Sequence, residues 1–307
     1  MPRKTILLSV IAALAMISCN NSAVETVDKA AASAKNVSSA VAEPTFDGVK
    51  LKEVLGAQSD KAKARYEFRH PYETLEFFGI TPGMTIADAL PGGGWYSKIL
   101  IPYLGDNGHM IGMDYSLKMW PEFGGFADAE FIEKKKSWAT EWVEGAQAWR
   151  GGTQGRIDAF TFGSRNTAMD GTVDAVLFIR ALHNLARFED KGNYLSEALQ
   201  DSHALLKLGG IVGVVQHQGP EDNDDTWAKG DKGYLKKSQL IAKFEAAGFE
   251  FVKESAINEN PKDVPSNDDI VWRLPPSLGT SKDNPDLKAK MQAIGESNRM
   301  TLLFKKN

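Results

Sequence analysis

Residues 84–97 read MTIADALPGGGWYS, and no other stretch restricts the fold as much. An apolar run carrying Asp88 passes through Gly92, Gly93 and Gly94 into Trp95–Leu104, a segment of helical character. A strand that turns through glycines into a helix presents bare backbone N–H groups and the positive end of a helix to a ligand. Twenty residues beyond Gly94, a second apolar run, HMIGMD, ends in Asp114. That is about the spacing at which a nucleotide-binding fold sets an acid against a ribose. The two strand ends together predict a site for a nucleoside-type cofactor.

Strand and helix patterns alternate from this point on. MTIADAL, HMIGMD, RIDAFTF, VDAVLFIRAL, IVGVVQH, EFVKESAI and RMTLLFKK read as seven strands. The fourth is a continuous apolar run, the mark of a strand buried on both faces. Between them, residues 126–149 read as one long helix carrying Phe131, Trp138, Trp142 and Trp149 at core-like spacing. YLSEALQDSHALLKLGG reads as an amphipathic helix closed by glycine, and KKSQLIAKFEAAGF as another. Residues 47–80 read as mostly helical, with Ser59 as an N-cap and Pro71 as an interruption or a new helix start. Such alternation predicts an α/β domain, doubly wound around a mostly parallel sheet, with its ligand crevice at the carboxyl ends of the strands.

The chain of 307 residues has a formal net charge of −4, so no bulk electrostatic pull draws it to nucleic acid. Arg3 and Lys4, the apolar stretch Ile6–Ile17 and Ser18 before Cys19 read as a secretory signal over residues 1–18. Cys19 is the sole cysteine, which excludes an intrachain disulfide. Met16-Ile17-Ser18-Cys19 resembles a bacterial lipobox, which predicts a lipidated Cys19 and attachment to a membrane by its lipid alone. Residues 19–45, rich in Ala, Ser, Val and Asn, then read as a tether and 46–307 as the folded domain. The expected location is the periplasm or a membrane surface of a bacterial envelope.

The glycine stretch only partly matches a dinucleotide fingerprint, because Ser97 stands where a third spaced glycine belongs. Asp88 decides the chemistry. A carboxylate beside that loop repels a phosphate but attracts an ammonium or a sulfonium, by about 1–4 kcal/mol at ~4 Å. A cationic cofactor without phosphates is expected, and S-adenosylmethionine fits. On Asp88, Gly92 and Gly94 the sequence resembles the class I S-adenosylmethionine-dependent methyltransferases, with Leu90 in place of their first glycine. The resemblance spans roughly residues 60–257 plus the last strand. It is closest to predicted exported bacterial methyltransferases that carry Arg69-His70-Pro71, Pro91–Tyr96, and Arg180 with His183-Asn184. It implies a Rossmann-like methyltransferase fold with seven strands, the last of them antiparallel. It also implies that Asp88 and the backbone of Gly92, Gly93 and Gly94 hold the methionine part, and Asp114 the ribose hydroxyls. The acid common after strand three is absent, and Ser164 stands in for it.

Methyl transfer requires in-line positioning and sometimes a base. His183, after strand four, is the first candidate base or else a hydrogen-bond partner of its loop. Arg180 either pairs with Asp88 or binds a substrate carboxylate. His70 and His217 could reach the same edge, which raises a three-histidine metal site as an alternative, although no HxH or HxxxH spacing occurs. The polar insertion 258–298 contains DDIVWRLPPSLG, either a lid over the cleft or a loop packed elsewhere. The expected reaction is methyl transfer to a small-molecule acceptor. The other reading is an exported binding protein that keeps the fold without turnover.

Overall fold

The computed structural model describes residues 45–307. The expected signal segment 1–18 and, apart from residue 45, the expected tether 19–45 with Cys19 lie outside the described residues. The strands are β1 (Thr85–Ala89), β2 (His109–Asp114), β3 (Arg156–Thr161), β4 (Val173–Ile179), β5 (Leu206–Gly219), β6 (Leu235–Lys236), β7 (Phe249–Ser255) and β8 (Arg299–Lys306). Their order is β3-β2-β1-β4-β5-β8-β7, with the two-residue β6 paired only to β5. β1 to β5 run parallel, and β8 is antiparallel to both β5 and β7. This is the doubly wound, mostly parallel seven-stranded sheet with an antiparallel last strand that the sequence predicts. The order reverses between β1 and β4, so the ligand crevice belongs at their carboxyl ends.

Both faces of the sheet are covered. Ala87, Ala89, Val176 and Phe178 pack beneath the helices Leu182–Arg187, Tyr194–Leu205 and Lys237–Ala246. Ile86, Ala175 and Leu177 face the helices Gly48–Gly56, Pro71–Phe78, Ser97–Leu104 and Trp138–Ala146. The two-residue period of a strand therefore puts Asp88 on the face of Ile86, beneath the helix that begins at Ser97.

Several boundaries depart from the sequence expectation. Residues 126–149 form two helices, Ala129–Lys135 and Trp138–Ala146, and a final turn, Gln147–Trp149. The break falls where the Ser137 hydroxyl donates to the Lys134 carbonyl at 2.9 Å and to Glu141 at 2.6 Å, competing with the helical backbone. The helix after the glycine turn starts at Ser97, two residues later than predicted. The helix Tyr194–Leu205 has no glycine cap; Leu206 is extended and opens β5, which takes in Gly209 and Gly210. Ser59 does cap a helix, accepting from the Ala62 N–H, and Pro71 does start one. The insertion is pinned down by Asp263, whose carboxylate accepts from Tyr234, Arg273 and the Asn298 N–H.

Candidate functional site

The turn after β1 goes left-handed at alternate residues: φ is +56° at Leu90, +55° at Gly92 and +72° at Gly94. The backbone thus keeps at Leu90 the conformation natural to glycine, at about 1–2 kcal/mol for a residue with a Cβ. A 2.7 Å bond from the Leu90 N–H to the Met113 carbonyl holds it there. Gly94 is fixed twice over, since a Cβ would also lie 2.5 Å from the Trp149 ring. A Cβ at Gly93 would meet nothing, and one at Gly92 only the Leu90 carbonyl at 4.0 Å. Their backbone is the part open to a ligand.

A cleft of about 790 Å³ opens at the switch point, lined by Asp88, Gly92, Gly93, Arg180, His183 and His217 among others. Asp88 lies at its floor, 3% exposed. The Ser97 hydroxyl donates to it at 2.6 Å, and no cation pairs with it among the described residues. Burial raises its carboxyl from the ordinary 3.8 to about 7, against the lowering effect of Ser97. A buried carboxylate with one donor and no counter-ion is complementary to a cationic ligand.

Asp114 ends β2, as expected, but does not line the cleft. Its carboxylate takes the ammonium of Lys135 at 2.9 Å, and that ammonium also stands 4.2 Å from the centre of the Trp120 ring. Burial raises the Asp114 carboxyl, while Lys135 pulls it down. Ser164 is exposed and bonds locally: its hydroxyl donates to the Thr161 carbonyl at 2.7 Å and bonds the Thr161 hydroxyl at 2.9 Å. Of the two groups expected to meet ribose and adenine, Asp114 is thus already engaged by a side chain of the chain itself.

The opposite side of the cleft is basic. Arg180 follows β4 with φ +58°, its N–H bonded to the Val215 carbonyl at 2.6 Å. It makes no ion pair with Asp88, and its Nε is buried without a hydrogen-bond partner. Nearby, Glu296 receives Arg65, Arg69 at 3.3 Å and Arg299 at 3.3 Å. Burial pushes the Glu296 carboxyl up, but the surrounding arginines outweigh it and hold the group below its ordinary value. Burial lowers Arg69 to about 10, helped by Arg180.

His183 and His217 meet here, with ring centres 5.6 Å apart. Burial depresses His183 to about 4 and leaves its Nδ1 without a partner. His217 is pushed well below its ordinary value, first by burial and then by His183; its Nδ1 bonds the Ser297 hydroxyl at 2.5 Å. Both imidazoles are therefore neutral at pH 7 and able to accept a proton or a hydrogen bond. His70 does not join them. It is a left-handed residue between two helices, and from its motif Arg69 lines the cleft instead. The described residues contain no cluster of three or more His, Cys, Asp or Glu able to hold a metal ion.

The segment Val271–Ser277 walls the cleft with Val271, Trp272 and Leu274, and Trp272 packs 5.9 Å from His183. Val271 is buried against Trp227, Ala228 and Tyr234, with Trp272 packed on the same cluster, so the segment is anchored on residues 227–234 and borders the cleft from there. Glu296, Ser297 and Arg65 escaped sequence reasoning, as did the bond from Ser97 to Asp88. Only the position of Ser97, nine residues after Asp88, carried a signal, because the helix it opens lies over the Asp88 face.

No family model and no curated protein matches the chain. Among solved structures it is similar to a SAM-dependent methyltransferase from Aquifex aeolicus, at 14% identity over 85% of this chain and 100% of that one, TM-score 0.45. It is also similar to the 4+2 cyclase SpnF, at 16% identity over 87% of both chains, TM-score 0.45. A third is the 1,6-didemethyltoxoflavin-N1-methyltransferase of Burkholderia thailandensis, solved with S-adenosylhomocysteine, at 12% identity over 84% and 87%, TM-score 0.42. At these identities the likeness is one of fold.

Proposed function

We propose that the protein transfers a methyl group from S-adenosylmethionine to a small-molecule acceptor. One observation carries the reading: Asp88, a buried carboxylate without a counter-ion, at the end of β1 beside the open backbone of Gly92 and Gly93. The donor set fits the cationic amino-acid end of the cofactor, since Asp88 would take its ammonium and the glycine N–H groups its polar atoms. When bound, S-adenosylmethionine supplies an electrophilic methyl group on a sulfonium. The chain's own residues then exclude water, through Trp95 and Trp272, and offer the neutral His183 to an acceptor proton. Calorimetric titration of the purified full-length chain with S-adenosylmethionine tests the first step. Absence of binding across pH 6–9 would sink the proposal.

The ribose end fits only after an exchange. Asp114 is available to ribose hydroxyls once Lys135 leaves it. Replacing Lys135 by Met removes that competitor while keeping the apolar stem against Trp120. Lys135→Met is expected to tighten S-adenosylmethionine binding by about two- to fivefold, roughly the effect of one partly exposed charge pair. Unchanged or weaker binding would mean that Lys135 does not compete for the site.

The same contact favours a second reading, an exported binding protein that retains the fold without turnover. That protein would hold ligand yet transfer no label. Incubation with methyl-labelled S-adenosylmethionine and small molecules extracted from the envelope separates the two, because any labelled product excludes the non-catalytic form.

A further inference from the structure

We propose that the half of the cleft at the ends of β4 and β5 is a carboxylate receptor built on Arg180, and that its ligand is an apolar carboxylic acid. The receptor stands on geometry and is independent of the methyl-transfer reading. Four arginines converge here on one acid. Glu296 engages Arg65, Arg69 and Arg299 and leaves Arg180 without a carboxylate. The Arg180 Nε is buried and makes no hydrogen bond, and the side chain lines the cleft. A half-buried guanidinium with its Nε shut off from water and no anion in contact lacks a partner, and a ligand carboxylate is the one its planar fork matches.

The backbone supports the same conclusion. Arg180 is left-handed, a conformation that disfavours any residue with a Cβ, and the Val215 carbonyl holds it so. A cation in so strained a position serves what enters the cleft better than it serves the fold.

The surroundings define the ligand further. A single free guanidinium matches one negative charge, which favours a carboxylate over a phosphate dianion. The adjacent wall is Ile179, Val271, Trp272 and Leu274, suited to an apolar body. The unpartnered His183 Nδ1 offers a second polar contact at neutral pH. The cleft is therefore bipolar. Asp88 on β1 awaits a cation, and Arg180 beyond β4 awaits an anion, so two oppositely charged ligands are steered to opposite halves.

The test titrates full-length, histidine-labelled protein with benzoate, its neutral isostere benzamide, and inorganic phosphate. Benzoate is expected to bind saturably and shift the ring signals of His183 and His217, with benzamide at least about tenfold weaker. Arg180→Gln keeps a residue with a Cβ at the left-handed position, so backbone strain is unchanged. It is expected to weaken benzoate at least about tenfold while S-adenosylmethionine affinity stays within about twofold. Arg180→Lys keeps the charge without the fork and should fall between. The proposal is overturned if benzoate does not saturate, if phosphate binds more tightly than benzoate, or if Arg180→Gln leaves benzoate unaffected. It is also overturned if that variant loses S-adenosylmethionine in parallel, because Arg180 would then serve the carboxylate of the cofactor. Benzoate binding without S-adenosylmethionine binding would keep the receptor and remove the methyl-transfer reading instead.

Discussion

Asp88→Asn is expected to raise the thermal midpoint of the unliganded protein at pH 8 while weakening S-adenosylmethionine binding by about ten- to a hundredfold. The two effects have one cause. Burial lifts the Asp88 carboxyl from 3.8 to about 7, so ionising it in the folded state costs roughly 4 kcal/mol at most. A group raised in this way favours folding fully below about pH 3.8, where both states are protonated. That contribution fades as pH rises and is gone above about 7. Asparagine removes the charge but leaves part of its amide without a partner, at about 1–3 kcal/mol. The net gain at pH 8 is then about 1–3 kcal/mol, or roughly 2–12 °C for a domain of this size. At pH 5 wild-type Asp88 is protonated in the fold, and the advantage should vanish or reverse. Binding should move the other way with pH. A cationic ligand favours the ionised carboxylate, so wild-type affinity rises towards pH 7–8 and falls by about tenfold per pH unit well below 7. Scanning calorimetry and titration at pH 5 and pH 8 measure both effects. A variant equally destabilised at both values, with binding intact, would make Asp88 a structural residue only.

The sheet was open to sequence reasoning because parallel strands buried on both faces are written as continuous apolar runs. RMTLLFKK coincides with β8, and the turn at Gly92–Gly94 falls between β1 and a helix as read. Leu90 was harder. The sequence presents it as a missing glycine, whereas the backbone adopts the glycine conformation anyway, held by Met113. Other features of the site depend on contacts that no local pattern encodes. Glu296 meets Arg65 across 231 residues of chain, and Lys135, at the end of the helix Ala129–Lys135, reaches Asp114 across 21. The RHP motif illustrates the same limit. Its histidine is the residue with obvious chemistry, yet the left-handed turn at His70 leaves Arg69 to line the cleft. The segment DDIVWRLPPSLG was recognisable as apolar residues in need of a partner, but that the partner is the cluster of Trp227, Ala228 and Tyr234 is a tertiary fact.

Glu296→Gln should be the most destabilising single change at the site. Glu296 is 3% exposed and is the acid shared by Arg65, Arg69 and Arg299, so its charge ties residues 65–69 to the start of β8. Glutamine keeps the shape and removes the charge, leaving three guanidiniums close together with no counter-ion. Removing one partner from a buried ionic cluster costs about 3–5 kcal/mol. For a domain of this size that is a fall of roughly 6–20 °C in thermal midpoint. The neighbouring exposed Glu67, changed to Gln, should move stability by less than about 0.5 kcal/mol. The pH dependence gives an independent readout. Because the arginines hold the Glu296 carboxyl below its ordinary value, its contribution is present above the unfolded value and is lost as pH falls through the folded one. Wild type should therefore lose stability in that acid range, and Glu296→Gln should lose less, so that the two converge. Sulfate should also recover part of the lost midpoint in the variant, more than chloride at matched ionic strength, by entering the space between the arginines. A midpoint within about 2 °C of wild type at pH 7, with no sulfate effect, would mean that the arginines are solvated well enough to need no shared acid.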